Sequence, residues 1–116
     1  HAGDLVNNGN RDAEWGQWFG AGGWLNAMTP SVPSPGNHEY PKLPAPEGQE
    51  AKRALCSPWR PQFALPENGP AGLEETTYWI DYQGVRIVSL NSNEQVARQA
   101  EWLDHCSPTI RTAGPC

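Results

Sequence analysis

The apolar and polar positions of this chain fall into patterned stretches separated by unpatterned ones. In RDAEWGQWFGAGGWLNAM, Trp15, Trp18, Phe19, Gly22 and Leu25 recur at i, i+3, i+4, i+7 and i+10, the spacing of one helix face. Asp12 and Glu14 stand in the first turn, where carboxylates suit the helix dipole, and Asn10 is the expected N-cap. Gly20, Gly22 and Gly23 weaken this helix or let it pack closely. Its tryptophans read as core packing.

In TTYWIDYQGVRIVSLNSN, two alternating runs at 76–82 and 85–91 flank Gln83-Gly84 and predict a β-hairpin. NEQVARQAEWLDH predicts a second helix, with Asn93 as N-cap and Val96, Gln99, Ala100 and Leu103 on the inner face. HAGDLV, residues 1–6, predicts the end of a buried strand running into an NNGN turn. TPSVPSPGNHEY predicts a short extended segment, because Pro30, Pro33 and Pro35 forbid a helix and bias their predecessors toward extended geometry. Residues 41–75 show no sustained period and predict a long loop, in which WRPQFALPENGP carries enough apolar side chains to pack down. The order strand, helix, strand, long loop, hairpin, helix predicts an α/β layered fold.

Composition narrows the picture. Twelve Gly and twelve Pro in 116 residues exclude a helical bundle, while six Trp argue against disorder. The net charge is −5 with scattered Lys and Arg, so no basic patch for nucleic acid is expected. No apolar run reaches membrane-spanning length. The chain begins with His1 rather than Met, so a preceding segment is expected and no leader reveals the compartment. Three cysteines, Cys56, Cys106 and Cys116, form no CxxC pair or zinc spacing and predict free thiols with at most one bridge.

The candidate chemistry lies in GDLVN, residues 3–7, and PGNHEY, residues 35–40. Each follows a predicted strand, and in open α/β sheets ligands collect beyond the carboxyl ends of strands. Asp4, 33 residues before Asn37, has two oxygens and can bridge two cations. The Asn37 amide oxygen can ligate without adding charge. Paired metals can clamp the attacking and leaving oxygens of a phosphoester, and a neighbouring His38 can serve the phosphoryl oxygens or the leaving group. Gly3 and Gly36 leave room for close backbone approach, and Glu39 is expected to orient His38. GD alone carries little information. GNHE carries more, since four fixed residues rarely coincide; its bland alternative is an Asx-type turn with a surface histidine.

These two motifs, in this order, resemble those of the calcineurin-like metallophosphoesterases, and most nearly the purple acid phosphatase branch. WGQWF, YWIDYQGVRIVSLNSN and QAEWL follow the same order, and the resemblance runs from His1 to about Asp104. It implies that residues 1–104 are part of a four-layer α-β-β-α catalytic domain that hydrolyses phosphate mono- or diesters with metal-bound hydroxide. It implies Asp4 as bridging ligand and Asn37 as ligand to the second of two ions (Fe, Mn or Zn). His38 would act at the leaving group or transition state, on a small phosphoester substrate. Where the purple branch has an iron-binding Tyr, this chain has Asn7, which implies a colourless divalent pair. The branch also implies an extracytoplasmic or secreted setting.

The family's D-x-H motif and its later histidine motifs do not occur, and neither His1 nor His105 stands in their context. The missing ligands are expected from flanking parts of the same domain. A non-catalytic remnant or binding module that kept the scaffold is the alternative, and a nucleotidase-type relative is a third reading. Half of a central sheet is expected to expose open edges and to associate. The tail 105–116, HCSPTIRTAGPC, breaks the pattern and holds two of the three cysteines. A shifted reading frame is the expectation there, with a divergent natural tail as the alternative.

Overall fold

A computed structural model describes residues 1–106. Its elements are helix α1, Asp12–Met28; a short helix α2, Trp59–Gln62; strands β1, Tyr78–Tyr82, and β2, Val85–Ser89; and helix α3, Val96–Cys106. This is a mixed helix-and-strand architecture. Among the described residues the one sheet is the two-stranded antiparallel pair β1–β2, with Tyr78 opposite Ser89 and Tyr82 opposite Val85. Gln83 and Gly84 turn the hairpin with φ of 49° and 80°, the paired positive values of a tight primed turn.

The strand expected over residues 1–6 is reduced to one parallel bridge, Ala2 with Ser34. The Ser34 N–H donates to the His1 carbonyl at 2.9 Å. Gly3 and Asp4 then take φ of 83° and 52°, which turns the chain out of extended geometry before a ladder can form. The 32–34 segment is still held to the hairpin through side chains. The buried Tyr78 hydroxyl donates to the Pro33 carbonyl at 2.6 Å, and the Ser34 and Ser89 hydroxyls lie 2.7 Å apart.

Helix α1 has Arg11 at its N-cap, without a side-chain bond, rather than Asn10. The Glu14 carboxylate reaches back instead and accepts the Asn8 N–H at 2.8 Å, leaving no role for an Asn10 cap. The expected apolar face is only half used. Trp15 is buried, but Leu25 is exposed, because the backbone breaks at Gly23 (φ 44°, ψ −123°) and the last turns swing off the core.

Residues 41–75 are more ordered than a plain loop. They carry α2 and a Lys42–Arg53 antiparallel bridge. Trp59 and Phe63 join Val6, Trp15 and Cys56 in the buried cluster, with Leu5, Trp18, Leu55 and Leu65 against it. The Trp15 ring meets those of Trp59 and Phe63 edge-on, at 6.4 and 5.9 Å between centroids. Both buried indoles find acceptors, Trp15 the Gly9 carbonyl at 2.7 Å and Trp59 the Glu75 carbonyl at 3.0 Å.

Of the inner face expected for helix α3, Gln99 is buried, while Val96, Ala100 and Leu103 are exposed. Asn93 does not cap it: Gln95, at φ 51°, directly precedes the first turn, and the Asn93 amide is engaged elsewhere. Cys56 and Cys106 are free thiols among the described residues. The expectations for the tail, Cys116 included, fall almost wholly outside those residues. No helix among them is long and apolar enough to cross a membrane.

Candidate functional site

Two loops meet at one face of the aromatic cluster. The first is 3–9, between the Ala2 bridge and α1; the second is 35–40, after the proline-led segment. Their junction is built on a buried carboxylate. Glu39 has no solvent exposure, and its Oε2 accepts the N–H groups of Asp4 at 2.9 Å and Gly36 at 2.7 Å. Its Oε1 accepts Leu5 N–H at 2.8 Å and, more weakly, Val6 N–H at 3.4 Å. Four N–H groups aimed at one carboxylate satisfy a buried acceptor that would otherwise be costly.

Glu39 therefore does not orient His38, contrary to the sequence expectation. Both of its oxygens are spent on backbone, and the imidazole is held by the Asn7 carbonyl, 2.6 Å from Nδ1. A carbonyl only accepts, so Nδ1 carries the proton and Nε2 is the ring atom left to hold or hand over another.

Gly3 and Gly36 stand back to back. A Cβ on Gly3 would lie 2.7 Å from both the Cα and the N of Gly36, and one on Gly36 would run into the Asp4 carboxylate. This contact lets Asp4 reach across the junction, where its Oδ1 accepts the His38 N–H at 3.0 Å. Asp4 itself is held at φ 52°, a region that non-glycine residues seldom occupy.

Asp4 and Asn37 are exposed and His38 half-buried. Asp4 Oδ2, the Asn37 amide and His38 Nε2 make no hydrogen bond to described residues and are open to a ligand. The structure thus brings together Asp4, Asn37 and His38, with Gly3, Gly36 and Glu39 as their frame.

Three contributors carry no sequence signal of a role at this junction. Arg53 donates from Nη1 to the carbonyls of Asn37 and Tyr40 at 3.0 and 2.9 Å. Asn93 donates to the carbonyls of Pro35 and Gly36 at 3.3 and 3.2 Å. Tyr40 anchors the end of the second loop, its hydroxyl donating to Glu94 at 2.5 Å and accepting from the Asn91 amide at 2.7 Å. Burial and the Glu94 carboxylate push the Tyr40 hydroxyl far above the ordinary phenol range.

A groove of about 240 Å³ opens beside His38, lined by Asn7, Asn8, Asn37, His38, Pro41, Lys42 and Arg53. A larger groove, about 630 Å³, lies between Leu5–Asn7 and α1. Its charged groups, Arg11 and Glu14, pair with each other at 3.4 Å, which leaves it less suited to an anion.

A divalent cation takes four or more donors. Among the described residues no group of three or more His, Cys, Asp and Glu is placed to hold one. The exposed Asp4 oxygen and Asn37 amide fit a share of a cation site but not a whole one.

The family model of the calcineurin-like phosphoesterases matches residues 1–113. No curated protein and no solved structure gives a significant match. A match over nearly the whole length, with the GD and GNHE loops joined at one junction, leads to a plain conclusion: the chain belongs to the calcineurin-like phosphoesterase family, hydrolases that generally bind divalent metals.

Proposed function

We propose that this chain forms one side of a dinuclear phosphoesterase site, with Asp4 as bridging donor, Asn37 as donor to the second ion and His38 as the residue acting on the substrate. The observation that supports this is the junction itself: the Asp4 carboxylate bonded to the His38 N–H at 3.0 Å while Glu39 holds both loops. When bound, such ions supply Lewis-acid activation of the phosphoryl group and of water. The chain's own part is to hold two oxygen donors open and to keep the proton on His38 Nδ1. That leaves Nε2 to bind a phosphoryl oxygen or protonate the departing one.

The remaining donors, in this reading, come from flanking parts of the same domain, completing a four-layer sandwich of the purple acid phosphatase type. With Asn7 in place of a tyrosine, a colourless divalent pair of Mn or Zn suits the site better than a coloured Fe(III) centre.

The test is turnover of a chromogenic phosphate ester with added Mn²⁺ or Zn²⁺. Activity that falls by about 100-fold or more in both Asp4→Asn and His38→Ala supports the site. A second reading, a non-catalytic scaffold, is favoured by the incomplete donor set among the described residues. Absent turnover, with no metal retained after dialysis, would establish it for this chain.

A further inference from the structure

The groove beside His38 has an unusual charge. The chain carries −5 overall, yet the charged residues lining this groove are Lys42 and Arg53, with no carboxylate among its lining residues. The two cations are direct partners across an antiparallel bridge. That bridge is flanked by Leu43 N–H to the Lys52 carbonyl at 2.8 Å and Ala54 N–H to the Pro41 carbonyl at 3.4 Å. Residues opposite each other in such a pair put their side chains on the same face, about 5 Å apart at Cβ, and like charges there repel.

No carboxylate in the described structure neutralises this pair. Neither Lys42 nor Arg53 takes part in an ion pair there. Arg53 is also fixed in place: Nη1 is spent on the carbonyls of Asn37 and Tyr40, while Nε and Nη2 have no partner among the described residues. Asn37 is thus both a proposed cation donor and the anchor of a guanidinium, so an anion bound at Arg53 sits next to the site.

We propose that Lys42 and Arg53 form a subsite for a second anionic group, so that the substrates are phosphoesters whose leaving group itself carries a negative charge, such as a further phosphate. The subsite rests on the phosphoesterase reading for its place in catalysis, but its anion binding does not require metal or turnover. The scissile phosphate lies toward Asp4, Asn37 and His38; the second anion lies toward the guanidinium edge and the ammonium.

The test is calorimetric titration of the whole chain with inorganic pyrophosphate and with orthophosphate, at fixed ionic strength and with a chelator present. The chain should prefer pyrophosphate by about fivefold or more, the range of one added charge contact at a partly exposed site. Lys42→Ala, which removes no internal bond, should cut that preference to below about twofold. Lys52→Ala, outside the groove, should leave it unchanged.

Equal binding of the two anions, no binding of either, or a preference that survives Lys42→Ala would overturn the subsite. A preference that responds to Lys42 in a chain that never hydrolyses a phosphoester would leave the subsite standing and sink the phosphoesterase reading alone.

Discussion

The Glu39 carboxylate accepts the Asp4 N–H at 2.9 Å, across 35 positions of sequence, with no water-exposed surface of its own. Through this bond the family's two most readable motifs become one structure. Glu39→Ala leaves the N–H groups of Asp4, Leu5 and Gly36 without their acceptor and should destabilise the fold by about 3 kcal/mol. Glu39→Gln keeps the shape but aims an NH₂ at backbone N–H groups, and should cost about 2 kcal/mol. Urea denaturation of the three proteins measures both, and a change below about 0.5 kcal/mol in Glu39→Ala would show that the junction contributes little.

The glycine pair gives a second prediction. Gly3→Ala meets the Gly36 backbone and also a φ of 83°, whereas Gly48→Ala meets open space at a nearly identical φ of 82°. The Gly48 variant should therefore lose only about 1 kcal/mol, from the left-handed backbone. The Gly3 variant should lose at least about 2 kcal/mol more, because backbone cannot yield as a side chain does. Thermal melts of the two variants compare them directly, and equal losses would mean that the loops are not in contact.

Alkaline stability follows from two buried groups. Burial pushes the Cys56 thiol from 9.0 to about 11 and the Tyr78 hydroxyl from 10.0 to about 12. Between those values the unfolded chain has lost the proton and the folded chain still holds it, so stability falls as pH rises. The loss should begin near pH 9, with Cys56, and steepen above pH 10 as Tyr78 adds to it. Burial and Glu94 move Tyr40 the same way. Burial also raises the Cys106 thiol, so Cys56→Ala should shrink the loss between pH 9 and 10 rather than abolish it. Denaturation midpoints from pH 8 to 11 read this, and an unchanged loss over that interval in the variant would remove Cys56 as the cause.

Much of the fold was legible because it is periodic. Helix α1, the hairpin with its Gln83-Gly84 turn and helix α3 follow from spacing alone. The first strand is not distinguishable in sequence, because an extended segment that pairs through one bridge looks like one that pairs through five. Helix α2 leaves no trace there because four residues with Pro61 inside them show no period. In the site, Asp4, Asn37 and His38 were legible as uncommon residues in a fixed order. Glu39 was legible as important but not as a loop tie, since its partners are backbone N–H groups that any residue supplies. Arg53 and Asn93 were silent for the same reason: both bind carbonyls distant in sequence.

Gln99 carries a fourth prediction. Its Oε1 accepts the Asn91 N–H at 2.8 Å and the Thr77 hydroxyl at 3.1 Å, while its Nε2 donates to the carbonyls of Asn91 and Glu94 at 2.6 and 2.7 Å. This one side chain fastens α3 to the end of β2, from which Asn93 reaches the Gly36 loop. Gln99→Leu strands two donors and two acceptors and should cost about 3 kcal/mol, with Gln99→Glu intermediate. Hydrogen exchange should show faster opening at Asn91 and, through Asn93, at Gly36; protection unchanged at Gly36 would uncouple the two loops.

The central claim is that Asp4 and Asn37 offer their oxygens to a cation at one place beside His38. Paramagnetic broadening by Mn²⁺ reads that place without requiring activity or tight binding. The claim predicts that the amide signals of Asp4, Asn37 and His38 broaden first, and that Asp4→Asn abolishes the selectivity. Broadening centred instead on the Glu47–Glu50 stretch or on Glu74 and Glu75, or spread evenly over the chain, would contradict it.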